Sequence, residues 1–275
     1  MKPAALFAIP LTLLLVTAIR AQQKPAASTA SSQTASGPPS ATAPMTPLQI
    51  AVMRGDILMA RKEFREAIRA YEQILSEHPK NAEVLNKMGI AFQQLDYLKT
   101  AGHCYKKSMK ADKKYASAVN NLGTVEYEEH HYGKAIKLYS RAVPLGQDLS
   151  IVYSNLGYAY FADKKYPRAM SSFEQALALD PDVFTRKSEN GTIIQQRTAT
   201  DPGLFYYFVA KTYALSGDAE HAAHYLKLAR DDGYKEFINA KTDPAFAKVI
   251  ADPRVKDVLV VPASYASGRK QPRSI

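Results

Sequence analysis

At 275 residues the chain is long enough for one large domain or a repeat array, and its 46% hydrophobic and 23% charged content is that of a folded protein. The single cysteine, Cys104, excludes an internal disulfide, so stability has to come from burial. The formal charge of +10 is unevenly placed, with no Asp or Glu before Asp56 and none after Asp257.

The first element is "MKPAALFAIPLTLLLVTAIRA". It has Lys2, an apolar run from Ala4 to Ile19 and a small-residue cleavage site at Ile19-Arg20-Ala21. The run is short of the roughly 20 residues that span a bilayer, and Pro10 interrupts it as a helix. Residues 1–21 therefore read as a secretory signal peptide, with retention as an anchor the competing reading. No cysteine follows the run to take a lipid. The expected location is secreted or periplasmic, with no transmembrane segment after signal removal. Residues 22–47 hold Ala, Ser, Thr, Pro and Gln with almost nothing to bury, and read as a disordered linker.

A repeat follows. Gly55, Gly89, Gly123 and Gly157 are each 34 residues apart. So are Ala67, Ala101, Ala135 and Ala169, and so are Tyr71, Tyr105, Tyr139 and Phe173. Three columns with one period divide 48–183 into the units 48–81, 82–115, 116–149 and 150–183. Each unit holds an apolar helical pattern, a short polar turn and a second helical pattern. Small residues at Gly157 and Ala169 imply two helices crossing closely, with Phe173 filling the space beside them.

The stretch "NLGYAYFADKKYPRAMSSFEQALALDP" and its three counterparts resemble the tetratricopeptide repeat family, in Leu156, Gly157, Tyr160, Tyr166, Ala169, Phe173, Ala176 and Pro181. The first unit departs from the pattern at Arg54, and the second has Lys113 in place of the Pro that closes the fourth at Pro181. The period breaks after Val183 and resumes at Gly203, giving a fifth unit over 203–236. Residues 184–202 are an insertion. Asn190-Gly191 between "FTRKSE" and "TIIQQRT" predicts a type I′ β-hairpin. Asp243-Pro244 and Asp252-Pro253 each pair an N-cap with Pro at the first helical position, predicting a two-helix cap over 237–260. Residues 261–275 read as a basic disordered tail. The fold class expected is all-α: a right-handed α-solenoid of five helix-turn-helix units with an inserted β-hairpin and a C-terminal helical cap.

No phosphate loop, Cys-x-x-Cys or His-Glu-x-x-His occurs, so the chain is expected not to be an enzyme and to need no cofactor or metal. His221 and His224 share a helix face and read as solvated, as do His130 and His131 in a turn. The basic pairs Lys106-Lys107, Lys113-Lys114 and Lys164-Lys165 lack interleaved stacking aromatics, so nucleic acid is not an expected partner. Weak attraction to an anionic envelope surface is.

The resemblance implies a function: a scaffold binding a protein or peptide ligand in a concave groove lined by first helices. The positions it assigns to that groove are Asn86, Asn120, Asn121, Tyr127, Ser154, Asn155, Tyr158, Phe161, Tyr207 and Lys211, joined by Ile90, Gln93 and Thr124. For Asn121 and Asn155 a second reading stays open, that they are structural between repeats. Only Lys211 could serve a carboxylate clamp. The alternative function is a self-associating structural component of the cell envelope.

Overall fold

The structure is a computed structural model and describes residues 44–185 and 201–260. Five helical hairpins follow one another: α1 (Pro47–Ala60) with α2 (Phe64–Glu77), α3 (Ala82–Gln94) with α4 (Leu98–Ala111), and α5 (Ala116–Glu128) with α6 (Tyr132–Ala142). Then come α7 (Leu149–Ala162) with α8 (Tyr166–Leu179), and α9 (Pro202–Ser216) with α10 (Ala219–Asp231). The start of α1 is fixed by a reciprocal cap. The Gln49 N–H donates to Thr46 Oγ1 (3.2 Å) and the Thr46 N–H donates to Gln49 Oε1 (2.8 Å). Helix thus begins at Pro47, inside the stretch read as linker.

The glycine column is explained by the aromatic column. A Cβ at Gly55, Gly89, Gly123 or Gly157 would lie 2.3, 2.5, 2.7 or 2.3 Å from the ring of Tyr71, Tyr105, Tyr139 or Phe173. Each ring lies directly on the backbone of the first helix of its own hairpin. Ala67, Ala101, Ala135 and Ala169 beside them are fully buried. In the fifth hairpin Ala210 and Leu226 fill these two columns, so a longer first residue meets a smaller second one.

A further column is conformational. Each hairpin turns through one residue in the left-handed region: Lys62 (φ 62°), Asp96 (64°), His130 (62°), Lys164 (58°) and Gly217 (91°). The next residue's N–H then closes the helix end, as in Glu63 to the Leu58 carbonyl (2.9 Å) and His131 to the Glu126 carbonyl (2.8 Å). Four residue types share this position, so the sequence gives no sign of it.

Successive hairpins stack, α2 on α3, α4 on α5 and α6 on α7. First helices also meet first helices, α3 on α5 and α5 on α7, which puts the first-helix side on the shorter, inner path of the stack. The far end is closed by 3-10 turns at Lys235–Lys241 and Pro244–Phe246 and by α11 (Pro253–Leu259). Asp243 and Asp252 cap the last two, accepting from the N–H of Ala245 and Arg254. The first Asp-Pro thus begins a 3-10 turn where an α-helix was expected. Phe246 and Val255 are fully buried.

Among the described residues there is no strand. The ribbon read at Ser188–Thr198 lies outside them, but its flanks correct the expected limits of the insertion. Phe184, read as strand, lies in a turn after Pro181 and is buried, its ring 5.3 Å from Phe173 and 6.0 Å from Tyr213. The Tyr213 hydroxyl donates to the Pro181 carbonyl (3.2 Å) and the Tyr225 hydroxyl to that of Phe184 (3.0 Å). On the other side Asp201 caps α9, which starts at Pro202. The expected signal peptide, most of the linker and the basic tail also lie outside the described residues.

Candidate partner-binding face

The amides predicted for the groove form a ladder across three first helices. Asn121 of α5 donates to Asn86 Oδ1 of α3 (3.0 Å), and Asn155 of α7 donates to Asn120 Oδ1 of α5 (3.1 Å). Asn120 joins the two links by donating to Asn121 Oδ1 (3.3 Å). The geometry follows from the repeat. The fifth residue of one unit faces the sixth of the next, so partners are separated by 35, one more than the period. The third unit has Asn at both places and connects its neighbours.

Other inner-side contacts also run between repeats. The Tyr105 hydroxyl donates to Gln93 Oε1 (2.8 Å), and Gln93 Nε2 donates to both carboxylate oxygens of Glu128 one repeat on (3.1 and 3.0 Å). Burial pushes the Glu128 carboxyl above its usual range, and the Gln93 bond offsets this only in part. Toward the N-terminus Lys87 bridges Asp56 of the first repeat (2.6 Å) and Glu83 (2.9 Å). Burial alone would lower the Lys87 pKa, but the two carboxylates outweigh it and raise it.

At the other end aromatics replace amides. Tyr158 stacks on Phe205 with centroids 5.0 Å apart, and Phe161 meets the same ring edge-on at 5.5 Å. Tyr127 packs on Tyr132 at 5.3 Å. Lys211 is not available as a clamp: its Nζ lies 2.8 Å from Asp243 of the cap, to which the Tyr207 hydroxyl also donates (3.2 Å). Burial would raise the Asp243 carboxyl, but Lys211, the Ala245 N–H and Tyr207 hold it below the usual range.

Of the ten residues assigned to the groove, nine lie in seams between helices. Tyr207 is 6% exposed and the other eight, Asn86, Asn120, Asn121, Tyr127, Ser154, Asn155, Tyr158 and Phe161, are 5% or less. Lys211 is half-buried. Close first-helix packing draws these positions off the surface. Among the described residues the Ser154 Oγ is buried with no hydrogen-bond partner. Beside the ladder lies a small cavity of about 30 Å³ between the third and fourth repeats. Asn120 and Asn121 line it with Ser117, Ile151, Gln147 and Asp148. The sequence signal for this spot was the Asn120-Asn121 pair. Nothing marked its rim.

The histidines are occupied otherwise. His221 stacks on Tyr213 (4.8 Å) and bonds Asp218 (2.6 Å). His131 brings a ring nitrogen within 4.8 Å of ligand atoms of Glu126 and Glu129, and the Lys134 ammonium, 3.3 Å from Glu126, is already a counter-charge there.

Five stacked hairpins with one shared set of small and large columns define the class, an α-solenoid of the kind that serves as a protein-interaction scaffold. The repeat is the tetratricopeptide repeat: residues 52–96 and 150–183 each match that family, and the chain is a tetratricopeptide-repeat protein. Among solved structures, PilF of Pseudomonas aeruginosa is 21% identical over 80% of this chain and 89% of its own, with a TM-score of 0.52. PilW, a type IV pilus biogenesis factor, is 17% identical over 78% of this chain and 98% of its own, also at 0.52. These two show the fold. MamA is 24% identical over 66% of this chain and 95% of its own, with a TM-score of 0.46. No curated protein matches the chain.

Proposed function

We propose that this chain is an extracytoplasmic scaffold that holds a protein or peptide segment against the inner face of its repeats. The observation that carries the proposal is the hollow at the third and fourth repeats, lined by buried amides of the three-helix ladder. A side-chain amide has two N–H donors and a carbonyl, the same pair of functions as a peptide bond. Asn120 and Asn121 each donate one N–H to the ladder. An extended backbone laid at the hollow can add to it, each bond contributing about 1 kcal/mol net. Ile151 at the rim, half-buried, supplies an apolar contact. Because Asp243 already neutralises Lys211, recognition rests on backbone and apolar contacts and not on a ligand's terminal carboxylate.

The location rests on residues 1–21, whose short apolar run and cleavage site suit export. The exposed pairs Lys106-Lys107, Lys113-Lys114 and Lys164-Lys165 would hold the protein loosely at an anionic envelope surface, less so as salt rises. This reading gives the protein no catalytic step.

Blocking the hollow tests the binding face. Ser117→Arg with Ile151→Arg fills the rim without touching the amide ladder. The partners that the native protein captures from envelope extract should be lost from this variant at unchanged helical content. Equal capture by both would place binding elsewhere. The location is tested separately by N-terminal sequencing, which should begin at Gln22 in the exported fraction.

A further inference from the structure

The helix α1 carries an apolar stripe that the described residues leave open. Ile50, Met53 and Ile57 are 50%, 43% and 44% exposed and recur at helical spacing on one face. The repeat shows what this face is for. One period on from Ile50 stand Val84, Ala118 and Val152, none more than 1% exposed. One period on from Ile57 stand Ala91, Val125 and Ala159, none more than 3% exposed. In those repeats the first helix packs on the second helix of the repeat before it. For α1 no earlier repeat precedes it. Among the described residues the stripe is the uncovered end of the stack.

We propose that a second copy of this chain covers it, α1 against α1 about a two-fold axis. Three observations favour this occupant. Residues 22–43, which lead into α1, contain no apolar residue larger than Pro, so they offer nothing that would fill the stripe. The other end of the stack is closed by the cap, with Phe246 and Val255 buried, so head-to-tail stacking would bring an open apolar end against a finished one. Finally, the stripe is self-complementary. Ile50 lies three residues before Met53 and Ile57 four after it. An antiparallel two-fold between Met53 and Arg54 therefore sets each Ile50 against the other copy's Ile57.

The same geometry fixes the character of the association. Three partly exposed side chains fall well short of the roughly 800 Å² per partner that stable complexes bury, so the dimer is weak and concentration-dependent. Arg54, exposed beside Met53, approaches its own counterpart across the axis. Salt screens that repulsion, so association strengthens as ionic strength rises. The proposal is independent of the inner-face reading, since α1 contributes nothing to the hollow.

Sedimentation velocity of the full chain over a wide concentration range is the test. A reversible dimer is expected, tighter in high salt and tighter in Arg54→Gln, and weakened about tenfold or more by Ile57→Glu. A chain that stays monomeric at every concentration overturns the proposal, whether its own residues 1–43 or a different protein then covers the stripe. A dimer indifferent to Ile57→Glu overturns it as well. Should Ile57→Glu fail to fold, Met53→Cys decides. Cys104 is 3% exposed and gives no competing thiol, so mild oxidation should link two copies through residue 53, and an absence of linked dimer overturns the interface.

Discussion

At the scale of single residues, the fold depends on contacts between a glycine backbone and an aromatic ring. Gly157→Ala would put a Cβ 2.3 Å from the Phe173 ring. The ring must shift, at a cost of about 1–3 kcal/mol, read as a lowered thermal midpoint. The fifth hairpin supplies the remedy, since it pairs Ala210 with Leu226. Gly157→Ala combined with Phe173→Leu should therefore be more stable than the sum of the two single losses. An additive double variant would show that the ring is not what the glycine accommodates. The turn column argues in the opposite direction. Lys62 sits at φ 62°, where a side chain costs about 1–2 kcal/mol and glycine costs nothing. Allowing for the extra freedom glycine gives the unfolded chain, Lys62→Gly should stabilise the protein by about 0.5–1 kcal/mol in denaturant unfolding.

At the scale of elements, charge placement between helices sets how stability responds to pH. Glu128 between α3 and α5 is pushed up by burial, so its protonated form favours the folded state. Its contribution grows as pH falls through the raised folded pKa toward the unfolded value near 4.3. Native protein should gain stability through this group as pH falls from neutral toward that unfolded value, and Glu128→Gln, which keeps an amide partner for Gln93, should lack that gain and be at least as stable at neutral pH. Asp243 between α9 and the cap behaves in reverse. Lys211 and its other partners hold it low, so its stabilisation is complete above the unfolded value near 3.9 and lost as pH falls through the folded one. Acid unfolding followed by circular dichroism should begin at higher pH in Asp243→Asn than in native protein, because the variant starts less stable at neutral pH and has no carboxylate contribution in that window.

At the scale of the molecule, the buried core is divided. Ala67, Tyr71, Ile74 and Val84 form a small cluster at the N-terminal end, Ala101, Tyr105, Leu122 and Val125 a second, and a third, much larger, runs from Val119 to Leu259. Repeat arrays are held by nearest-neighbour contacts, so the end with the smallest core and an uncovered outer helix opens first. Native-state hydrogen exchange should find α1 and α2 least protected and α7 to α10 most. Uniform protection across all five hairpins would mean that the stack opens as one unit. A rise in α1 protection with protein concentration would also report the two-fold contact.

The sequence by itself determined the repeat, its five units and which residues are small or large within them. A period of 34 in residue type is visible without coordinates, and close helix packing permits few alternatives in those columns. The Asp-Pro pairs announced their caps because N-capping is local chemistry. Only the tertiary structure decided which side of the first helices is surface. Nine residues assigned to an open groove are seam residues, because first helices pack on first helices along the inner path and bury what a single hairpin would leave exposed. It also decided that Lys211 is already paired, since Asp243 lies 32 positions away and meets it only once the cap folds back. The left-handed turn column was hidden for a different reason: it is a property of the backbone, and Lys, Asp and His occupy it with no shared side-chain chemistry.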